Sequence, residues 1–284
     1  MSVLWAAFLG LVQGVSEFLP ISSSGHLSII QNLFGGETTE GHMFFDVLLH
    51  LGTLVAVCVA YRSDIIDIVK QLLAFFELGK SGKRLAAEHR AEGKQKYPAV
   101  RLVLMIIIAT LPLFVVLPVN DLVERLYYKT WFIGIILILT GVMLYASDRM
   151  PAGSKTEKNM TFKDTLIIGV CQAVATIPGL SRSGTTITAG IVTGLNREFA
   201  VKFSFLLSLP AVLGANILSL VKAIGEGIDV SLLPAYLVGM AVAMVSGYFS
   251  IALLRRIVKK GKFGNFAYYC WGVGVITIIL SIIF

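Results

Sequence analysis

The chain interrupts an apolar segment at residues 13–26, which read QGVSEFLPISSSGH. The residues Val3–Ser16 are apolar, and a second short apolar segment follows the break. A similar break, PGLSRSG at residues 178–184, follows the apolar residues Thr165–Ile177. Proline, serine and glycine end helices because they free or compete for backbone hydrogen bonds. Such irregular backbone survives at membrane depth only where protein or a water-filled cavity satisfies it, so both regions are predicted to be re-entrant helical hairpins.

Other stretches of the chain are apolar and long enough to cross a bilayer, which takes about 20 residues with tolerance down to about 17. The six predicted spans are Phe44–Tyr61, Leu102–Val119, Trp131–Ser147, Phe203–Val221, Val230–Leu254 and Phe263–Phe284. Of the 284 residues, 56% are hydrophobic and only 14% are charged. A typical soluble domain is about 25% charged, so this composition excludes a soluble enzyme, a disordered chain and a disulfide-stabilised secreted module.

The cysteines and the N-terminus carry no sign of export or metal binding. Cys58, Cys171 and Cys270 lie far apart in apolar runs, so they are expected to be buried, unpaired and outside any zinc site. No Lys or Arg precedes the first apolar run, whereas a cleaved signal peptide has a basic start. The N-terminal segment is therefore expected to remain in the mature protein.

The positive charges lie on one side of the predicted arrangement. Of the 24 Lys and Arg residues, 20 fall in the segments 62–101, 148–164, 197–202 and 255–262, and three fall in the opposite segments 120–130 and 222–229. Cytoplasmic loops carry this excess in membrane proteins. Both termini and the first hairpin are therefore predicted to face outward, and the second hairpin to enter from the cytoplasm. The net charge of +7 follows from topology and does not require nucleic acid.

The two broken regions align with each other when the chain is shifted by 159 residues. Five of the 14 positions 13–26 are then identical, pairing Gln13 with Gln172, Val15 with Val174, Ser22 with Ser181, Ser24 with Ser183 and Gly25 with Gly184. Each half, 1–150 and 151–284, contains one hairpin and three spans, and an odd number of spans inverts the second half. The sequence predicts an all-α polytopic membrane protein with an inverted-topology repeat and a site near the midplane.

The first break combines an acid, hydroxyls and an imidazole. Gln13 and Glu17 are four residues apart and share a helix face. A carboxylate inside an apolar segment is costly to bury and usually marks a cavity, a partner or an ion. Serine and glycine residues at the start of the next half-helix expose backbone N–H groups that suit an anion, and His26 lies just inside that half-helix. The candidate anion-binding residues here are Ser22, Ser23, Ser24 and Gly25.

The second break supplies the cation. Arg182 is the only Arg or Lys that the predicted layout leaves at membrane depth, where insertion costs about 2.5–3.5 kcal/mol. Its planar guanidinium suits phosphate better than a lysine would. The candidate phosphate-binding residues around it are Ser181, Ser183, Gly184 and Thr186. Together the two breaks suit a phosphorylated ligand that bears several negative charges.

These residues resemble the motifs of a known family. The pattern [Glu/Gln]-x-x-x-Glu followed by Pro-x-Ser-Ser-x-Gly-His over Gln13–His26, and Pro-Gly-x-Ser-Arg-Ser-Gly-x-Thr from Pro178, resemble the undecaprenyl-diphosphate phosphatases, or bacitracin-resistance proteins. The resemblance covers essentially the whole chain. It implies an integral enzyme of the bacterial plasma membrane that removes the terminal phosphate of a C55 isoprenyl diphosphate. It also implies a divalent cation, an active site open to the outer face, and a product used as a carrier for peptidoglycan.

The resemblance carries roles to particular residues. The motif positions are Gln13, Glu17, Ser22, Ser23, His26, Ser181, Arg182 and Thr186. Glu17, with help from Gln13, is expected to hold Mg²⁺ or Ca²⁺, both of which prefer oxygen ligands. Many family members have Glu where this chain has Gln13, so Asp46, which shares a helix face with His50, is a substitute ligand. Phosphoryl transfer is expected to use Ser23, activated by His26 and Glu17, or alternatively His26 as the direct nucleophile.

Two other classes compete with a phosphatase. Secondary transporters also use inverted halves and broken helices, so a carrier or flippase for a lipid phosphate or an anion is the alternative. Transport alone does not require the cluster of Glu17, Ser23 and His26. A structural scaffold would have no reason to bury Glu17 and Arg182. The expected partners are the isoprenyl diphosphate and membrane lipids, a homo-oligomer is left open, and the basic segment 62–101 is expected to be a solvated cytoplasmic loop.

Overall fold

The computed structural model describes residues 1–34, 43–91, 97–151, 153–226 and 229–283. The regular elements in these ranges are helices, and an isolated parallel bridge joins Lys155 to Leu195. The α-helices are α1 (Val3–Phe18), α2 (Ser23–Phe34), α3 (Met43–Ala60), α4 (Arg62–Phe75), α5 (Gly79–Ala91), α6 (Pro98–Thr110), α7 (Asn120–Tyr127), α8 (Thr130–Ser147), α9 (Phe162–Val174), α10 (Arg182–Val192), α11 (Arg197–Glu226), α12 (Leu233–Lys259) and α13 (Phe266–Ile283).

Several helices are long and apolar enough to cross a membrane. In the described residues five such segments occur: Pro98–Tyr127, Thr130–Ser147, Arg197–Gly225, Val230–Lys259 and Phe263–Ile283. A sixth arises if α3 and α4, which meet at an angle of 77°, are counted as one span. The all-helical, polytopic membrane class predicted from the sequence is confirmed. The inverted repeat and the division of the chain at residue 150 stay predictions.

The surface of the helices is apolar, as expected where lipid replaces water. Leu4 is 85% exposed, Phe249 is 65% exposed and Ile282 is 78% exposed. Soluble proteins rarely expose large contiguous apolar patches. The three cysteines are free, as expected, but only Cys270 is buried, whereas Cys171 is partly exposed and Cys58 is exposed.

The predicted span Leu102–Val119 is not one continuous α-helix. The helix α6 ends at Thr110, and two short 3₁₀ turns lead into α7. Pro112 lies in the first of these turns and Pro118 in the second. Proline has no N–H to donate and its ring collides with the preceding turn, so the α-helical ladder stops here.

In its described residues, 62–91 and 97–101, the basic segment contains helices instead of the loop expected from the sequence. It contains the helices α4 and α5, with a tight turn at Glu77 and Gly79, which have φ angles of 50° and 64°. The two helices pack closely at Gly82, where an added Cβ would lie 2.3 Å from the carbonyl oxygen of Leu73. Helix formation in this segment follows from the packing of α5 against α4.

The helix α1 is held against α12 by small residues. A Cβ at Gly10 would lie 2.3 Å from the carbonyl oxygen of Gly239, so only glycine fits there. Close backbone approach through small residues is the common way for helices to associate in membranes. In the same way α13 packs along α8, and the Trp271 indole N–H donates to the carbonyl of Ile138 over 3.2 Å. These two helix pairs fix the positions of α1 and α13 on either side of the first break.

Candidate active site

Both breaks lie where the sequence predicts them, and a serine caps the half-helix that follows each one. The Gly25 N–H donates to Ser22 Oγ over 3.2 Å, and the Gly184 N–H donates to Ser181 Oγ over 3.1 Å. A serine at the N-cap satisfies one of the free N–H groups of the first turn. Ser22 has a φ angle of 70°, a left-handed conformation that costs energy in a residue other than glycine. The first break is therefore a constrained turn.

The two breaks touch each other through their glycines. A Cβ at Gly25, in the first half-helix, would lie 3.1 Å from the Cα of Gly179 in the second break. Reciprocally, a Cβ at Gly184 would lie 3.2 Å from the Cβ of Pro20 in the first break. The N-termini of α2 and α10 therefore lie side by side, where their unpaired N–H groups and positive dipole ends favour an anion.

Glu17 is the centre of the polar cluster between the breaks. Ser23 Oγ donates to Glu17 Oε2 over 2.5 Å, and Gln13 Nε2 donates to the same oxygen over 3.2 Å. The Arg182 guanidinium donates to Glu17 Oε1 from the opposite break. The Glu17 side chain is 6% exposed, so this carboxylate is stabilised by protein donors instead of water. The structure thus brings the predicted acid, one predicted hydroxyl and the predicted cation into direct contact.

Gln13 connects Glu17 to His50 of α3. Gln13 Nε2 lies 3.0 Å from His50 Nδ1, and His50 Nδ1 lies 4.0 Å from Glu17 Oε2. The amide nitrogen can only donate, so His50 Nδ1 is the acceptor in this pair. Asp46, which the sequence offers as a substitute metal ligand, makes no hydrogen bond or ion pair with Glu17 or Gln13 among the described residues. Of Asp46 and His50, only His50 lies in the polar cluster around Glu17.

His26 is not paired with Ser23, contrary to the arrangement expected for its activation. His26 Nδ1 lies 2.8 Å from the Ser22 carbonyl oxygen, and His26 Nε2 lies 2.8 Å from the hydroxyl of Tyr269. The rings of His26 and Tyr269 stack, with centroids 5.6 Å apart and an interplanar angle of 11°. Within the part of the chain that the structure describes, Ser23 has Glu17 as its carboxylate partner and His26 has Tyr269 as its side-chain partner.

The remaining serine of the first break faces a tyrosine. Ser24 Oγ lies 3.4 Å from Ser22 Oγ, and a hydrogen bond joins Ser24 to the Tyr127 hydroxyl. The same hydroxyl lies 3.5 Å from the carbonyl oxygen of Thr176, two residues before the second break. Tyr127, at the end of α7, therefore connects the first break to the segment that precedes the second.

The hydroxyls of the second break form a corresponding set. Ser181 Oγ lies 3.2 Å from Ser183 Oγ, and Thr186 Oγ1 donates to the Arg182 carbonyl over 2.9 Å. Thr186 Oγ1 also lies 2.6 Å from Ser204 Oγ on α11. A cavity opens beside this set, lined by Glu17, Phe18, Arg182, Ser183, Ser204, Phe205 and Ser208. The predicted acid and cation therefore share a cavity with several hydroxyls.

Sequence reasoning missed Tyr269, Tyr127 and Ser204. Each belongs to a helix outside the two breaks and the half-helices that follow them. Tyrosine is common at the ends of membrane spans in any case, so its presence there indicated no contact with the site. Ser204 carries no pattern that would separate it from other small residues of α11.

The residues present fit a divalent cation that brings most of its ligands with the substrate. The described residues contain no group of three or more His, Cys, Asp or Glu residues that could hold a metal ion. However, Gln13 Oε1 is buried and accepts no hydrogen bond there, so one hard oxygen beside Glu17 is free to bind a cation. Mg²⁺ is commonly held by one or two carboxylates together with substrate phosphates. Gln13 and Glu17 fit that pattern.

Comparison with known proteins gives a consistent family. The family model described as bacitracin resistance protein BacA matches residues 6–276. A protein of Methanosphaera stadtmanae named undecaprenyl-diphosphatase is 42% identical over 100% of this chain and 99% of its own length. A protein of the same name from Methanobrevibacter smithii is 43% identical over 99% of this chain and 99% of its own length. Another, from Carboxydothermus hydrogenoformans, is 39% identical over 99% of this chain and 98% of its own length. The chain belongs to the BacA family of bacitracin resistance proteins.

Proposed function

We propose that this membrane protein hydrolyses undecaprenyl diphosphate to undecaprenyl phosphate and inorganic phosphate, which recycles the lipid carrier of cell-wall synthesis. The observation that carries the proposal is the contact of Glu17 with both Ser23 and Arg182, across two breaks that meet. Its relatives along the whole chain carry the name undecaprenyl-diphosphatase. A base, a hydroxyl and a guanidinium in direct contact are what the cleavage of a phosphoric anhydride needs.

Ser23 is the nucleophile that the contacts support best. Its Oγ lies 2.5 Å from Glu17 Oε2, so the carboxylate is placed to take the hydroxyl proton as Oγ attacks the terminal phosphorus. The bond between that phosphorus and the bridging oxygen then breaks, and undecaprenyl phosphate leaves. Water hydrolyses the phosphoserine in a second step and releases phosphate. Direct attack by His26 is the weaker alternative, because Tyr269 lies against Nε2.

Arg182 and the two half-helices stabilise the charge on the transferred group. The guanidinium is 29% exposed and reaches Glu17, so it faces the point where the terminal phosphate must lie for Ser23 to attack it. Its planar donors match phosphoryl oxygens in pairs. The first-turn N–H groups of α2 and α10 add further positive charge from fixed dipoles, which need no reorganisation during the reaction.

A divalent cation, Mg²⁺ or Ca²⁺, is the cofactor that we propose. Glu17 and Gln13 Oε1 would hold this cation, which would neutralise part of the charge on the diphosphate when bound. The chain's own contribution is to keep one free oxygen on Gln13 and to limit access of water to the buried carboxylate of Glu17.

The site is proposed to open to the outer face of the plasma membrane. The support is the distribution of Lys and Arg, of which 20 of 24 lie in the segments on the side opposite to the termini and the first hairpin. The isoprenyl chain of the substrate would then remain in the bilayer while the diphosphate enters between the two breaks.

The proposal is tested with purified protein in detergent and a C55 isoprenyl diphosphate. Phosphate release is measured after removal of metal with EDTA and after addition of Mg²⁺ or Ca²⁺. We expect release that depends on the metal, and no release under any of these conditions overturns the proposal. A protein that moves the lipid across liposomes without releasing phosphate is instead a carrier.

The nucleophile is identified by rapid quench with substrate labelled with 32P in the terminal phosphate. A labelled protein that is stable in acid and labile in base supports phosphoserine at Ser23, and an acid-labile adduct indicates phosphohistidine. Ser23→Ala should abolish the label, whereas Ser281→Ala, a matched change near the end of α13, should retain it.

A further inference from the structure

The residue that faces the reactive nitrogen of His26 comes from the last helix of the chain. We propose that Tyr269 is a positioning residue of the site, which fixes the orientation of the His26 ring. The inference rests on the proposed phosphatase function and adds to it a residue that the sequence motifs do not contain. It depends on the hydrogen bond between Tyr269 and His26 Nε2 over 2.8 Å.

The partners of His26 determine which nitrogen carries the proton. Its Nδ1 lies 2.8 Å from the carbonyl oxygen of Ser22, and a carbonyl oxygen can only accept. Nδ1 is therefore the protonated nitrogen of the neutral ring, and Nε2 carries the lone pair. The Tyr269 hydroxyl donates to that lone pair. Each nitrogen thus has one partner of the correct type, and the opposite tautomer would lose the hydrogen bond to the Ser22 carbonyl, whereas the Tyr269 hydroxyl could accept as well as donate.

The orientation of the ring is fixed as well as its tautomer. The His26 and Tyr269 rings stack at 5.6 Å between centroids and 11° between planes. Ser22, which supplies the other contact, is itself held in a left-handed turn with a φ angle of 70°. A hydrogen bond and a stacked ring on one side, and a constrained carbonyl on the other, leave the imidazole little freedom to turn.

The position of Tyr269 is set by contacts of its neighbours on α13 with Pro20 of the first break and with α8. It lies on α13, whose neighbouring Cys270 is fully buried and directs its Sγ toward the Pro20 carbonyl oxygen at 3.7 Å. Trp271, the next residue, bonds to the Ile138 carbonyl of α8. The contacts of Cys270 and Trp271 therefore determine where the phenol meets His26. A shift of α13 would therefore move the Tyr269 hydroxyl away from His26 Nε2.

The consequence for the reaction is that the Tyr269 hydroxyl occupies the lone pair of Nε2 and holds the His26 ring, which in turn donates to the Ser22 carbonyl beside the proposed nucleophile Ser23. Tyr269 is 45% exposed, and His26 is itself partly exposed. Removing the Tyr269 hydroxyl while keeping its ring should lower turnover. Binding of the substrate should stay intact, because it depends on Arg182 and the half-helix N-termini.

The test compares Tyr269→Phe with Tyr268→Phe. Tyr268 is the adjacent tyrosine, is 61% exposed and packs against Trp271 and Tyr145 instead of His26. In Tyr269→Phe we expect kcat for the C55 diphosphate to fall about three- to tenfold, the effect of one hydrogen bond, with KM unchanged. Tyr268→Phe should match the wild type in both constants.

A spectroscopic measurement reads the hydrogen bond at His26 Nε2 directly. The chain has four histidines, so protein labelled with 15N in histidine gives few imidazole signals, and His26→Gln assigns the one of interest. We expect the His26 Nε2 resonance to move in Tyr269→Phe and to stay in place in Tyr268→Phe. A Tyr269→Phe protein with wild-type kcat and an unmoved resonance overturns the inference.

The failure of this inference is separable from the failure of the proposed function. A wild-type protein that releases no phosphate overturns the proposed function, and the role of Tyr269 in turnover with it. An active wild type with an indifferent Tyr269→Phe variant overturns the role of Tyr269 alone.

Discussion

Replacement of Arg182 is the sharpest perturbation of the site. Its guanidinium contacts Glu17 Oε1, and the side chains are 29% and 6% exposed. Arg182→Ala removes the only cation that contacts this buried carboxylate in the described residues, and Arg182→Lys keeps a charge but loses the planar fork. Both variants keep the two hydrogen bonds that Glu17 accepts from Ser23 and Gln13.

The expected loss in turnover follows from the role of the guanidinium. Removing one donor that stabilises the charge of a transition state costs about 2.7–4 kcal/mol, or about 10²–10³ in kcat. Arg182→Ala should therefore lower kcat by at least about 10²-fold. Arg182→Lys should restore little of it, because a point charge cannot pair with two phosphoryl oxygens.

The same variant also affects stability, and the two effects must be separated. Breaking a buried ion pair by removing one partner costs about 3–5 kcal/mol of folding free energy, since the other charge stays buried. Here Glu17 keeps its Ser23 and Gln13 donors, so a cost at or below the lower end is expected. kcat must therefore be expressed per folded protein, with the folded fraction taken from a thermal unfolding curve in detergent.

Arg197→Ala is the matched control for the loss of an ion pair. Arg197 Nη1 lies 2.6 Å from Asp148 Oδ1, and the two side chains are 18% and 17% exposed. This variant should lower the unfolding temperature and leave kcat per folded protein within about twofold of the wild type. If Arg182→Ala kept kcat within about threefold of the wild type while folded, the shared site of the two breaks would be refuted.

Three further predictions concern the nucleophile, the contact between the breaks and a surface ion pair. Ser23→Ala should lower kcat per folded protein by at least about 10³-fold, measured by phosphate release, and should lower the unfolding temperature because the buried Glu17 loses one donor; a smaller loss of kcat would leave Ser23 a binding residue. Gly25→Ala should destabilise the fold by about 1–3 kcal/mol, because the added Cβ would lie 3.1 Å from both the Gly179 Cα and the Ser22 Oγ. Gly272→Ala is the control, because its added Cβ would meet no atom within 4 Å. Equal unfolding temperatures for the two variants would contradict this prediction. Burial raises the pKa of Asp164, but hydrogen bonds, chiefly from Lys155, outweigh it and hold that pKa below its usual value. The ion pair of Asp164 with Lys155 therefore stabilises the folded protein above about pH 4, and this stabilisation is lost as the pH falls through the lowered pKa of Asp164. Asp164→Asn should lower the free energy of unfolding by about 1 kcal/mol at pH 7, and the stability of this variant should depend less on pH in the acid range.

Several features of the fold were readable because they depend on local chemistry. The breaks before Ser22 and Ser181 follow from proline, serine and glycine, which cannot continue a helix and which cap the next one. The 3₁₀ turns within residues 111–119 have the same local cause, because each contains a proline, Pro112 or Pro118. They were not predicted, because the uncharged residues around them are long enough for a continuous span. The helices α4 and α5 were missed because packing against each other, instead of an apolar stripe facing lipid, stabilises them.

The candidate site was predictable as a set of residues but not as a set of contacts. Glu17 and Arg182 stood out because charge is costly in an apolar segment, and the structure joins them across 165 residues of sequence. Nothing in the residue pattern distinguishes Glu17 from His26 as the partner of Ser23. The structure pairs Ser23 with Glu17, and it turns His26 toward Tyr269, which is 243 residues away along the chain.

The amino-acid sequence by itself determined the membrane class, the two breaks and the charged groups at them, because composition, helix-ending residues and the cost of burying charge act locally. The tertiary structure alone decided which oxygen each donor reaches, that the two breaks touch through Gly25 and Gly179, and that α13 brings Tyr269 to His26. Those contacts depend on how distant helices pack along their small residues, and the direction and depth of that packing are not encoded in any short stretch of the chain.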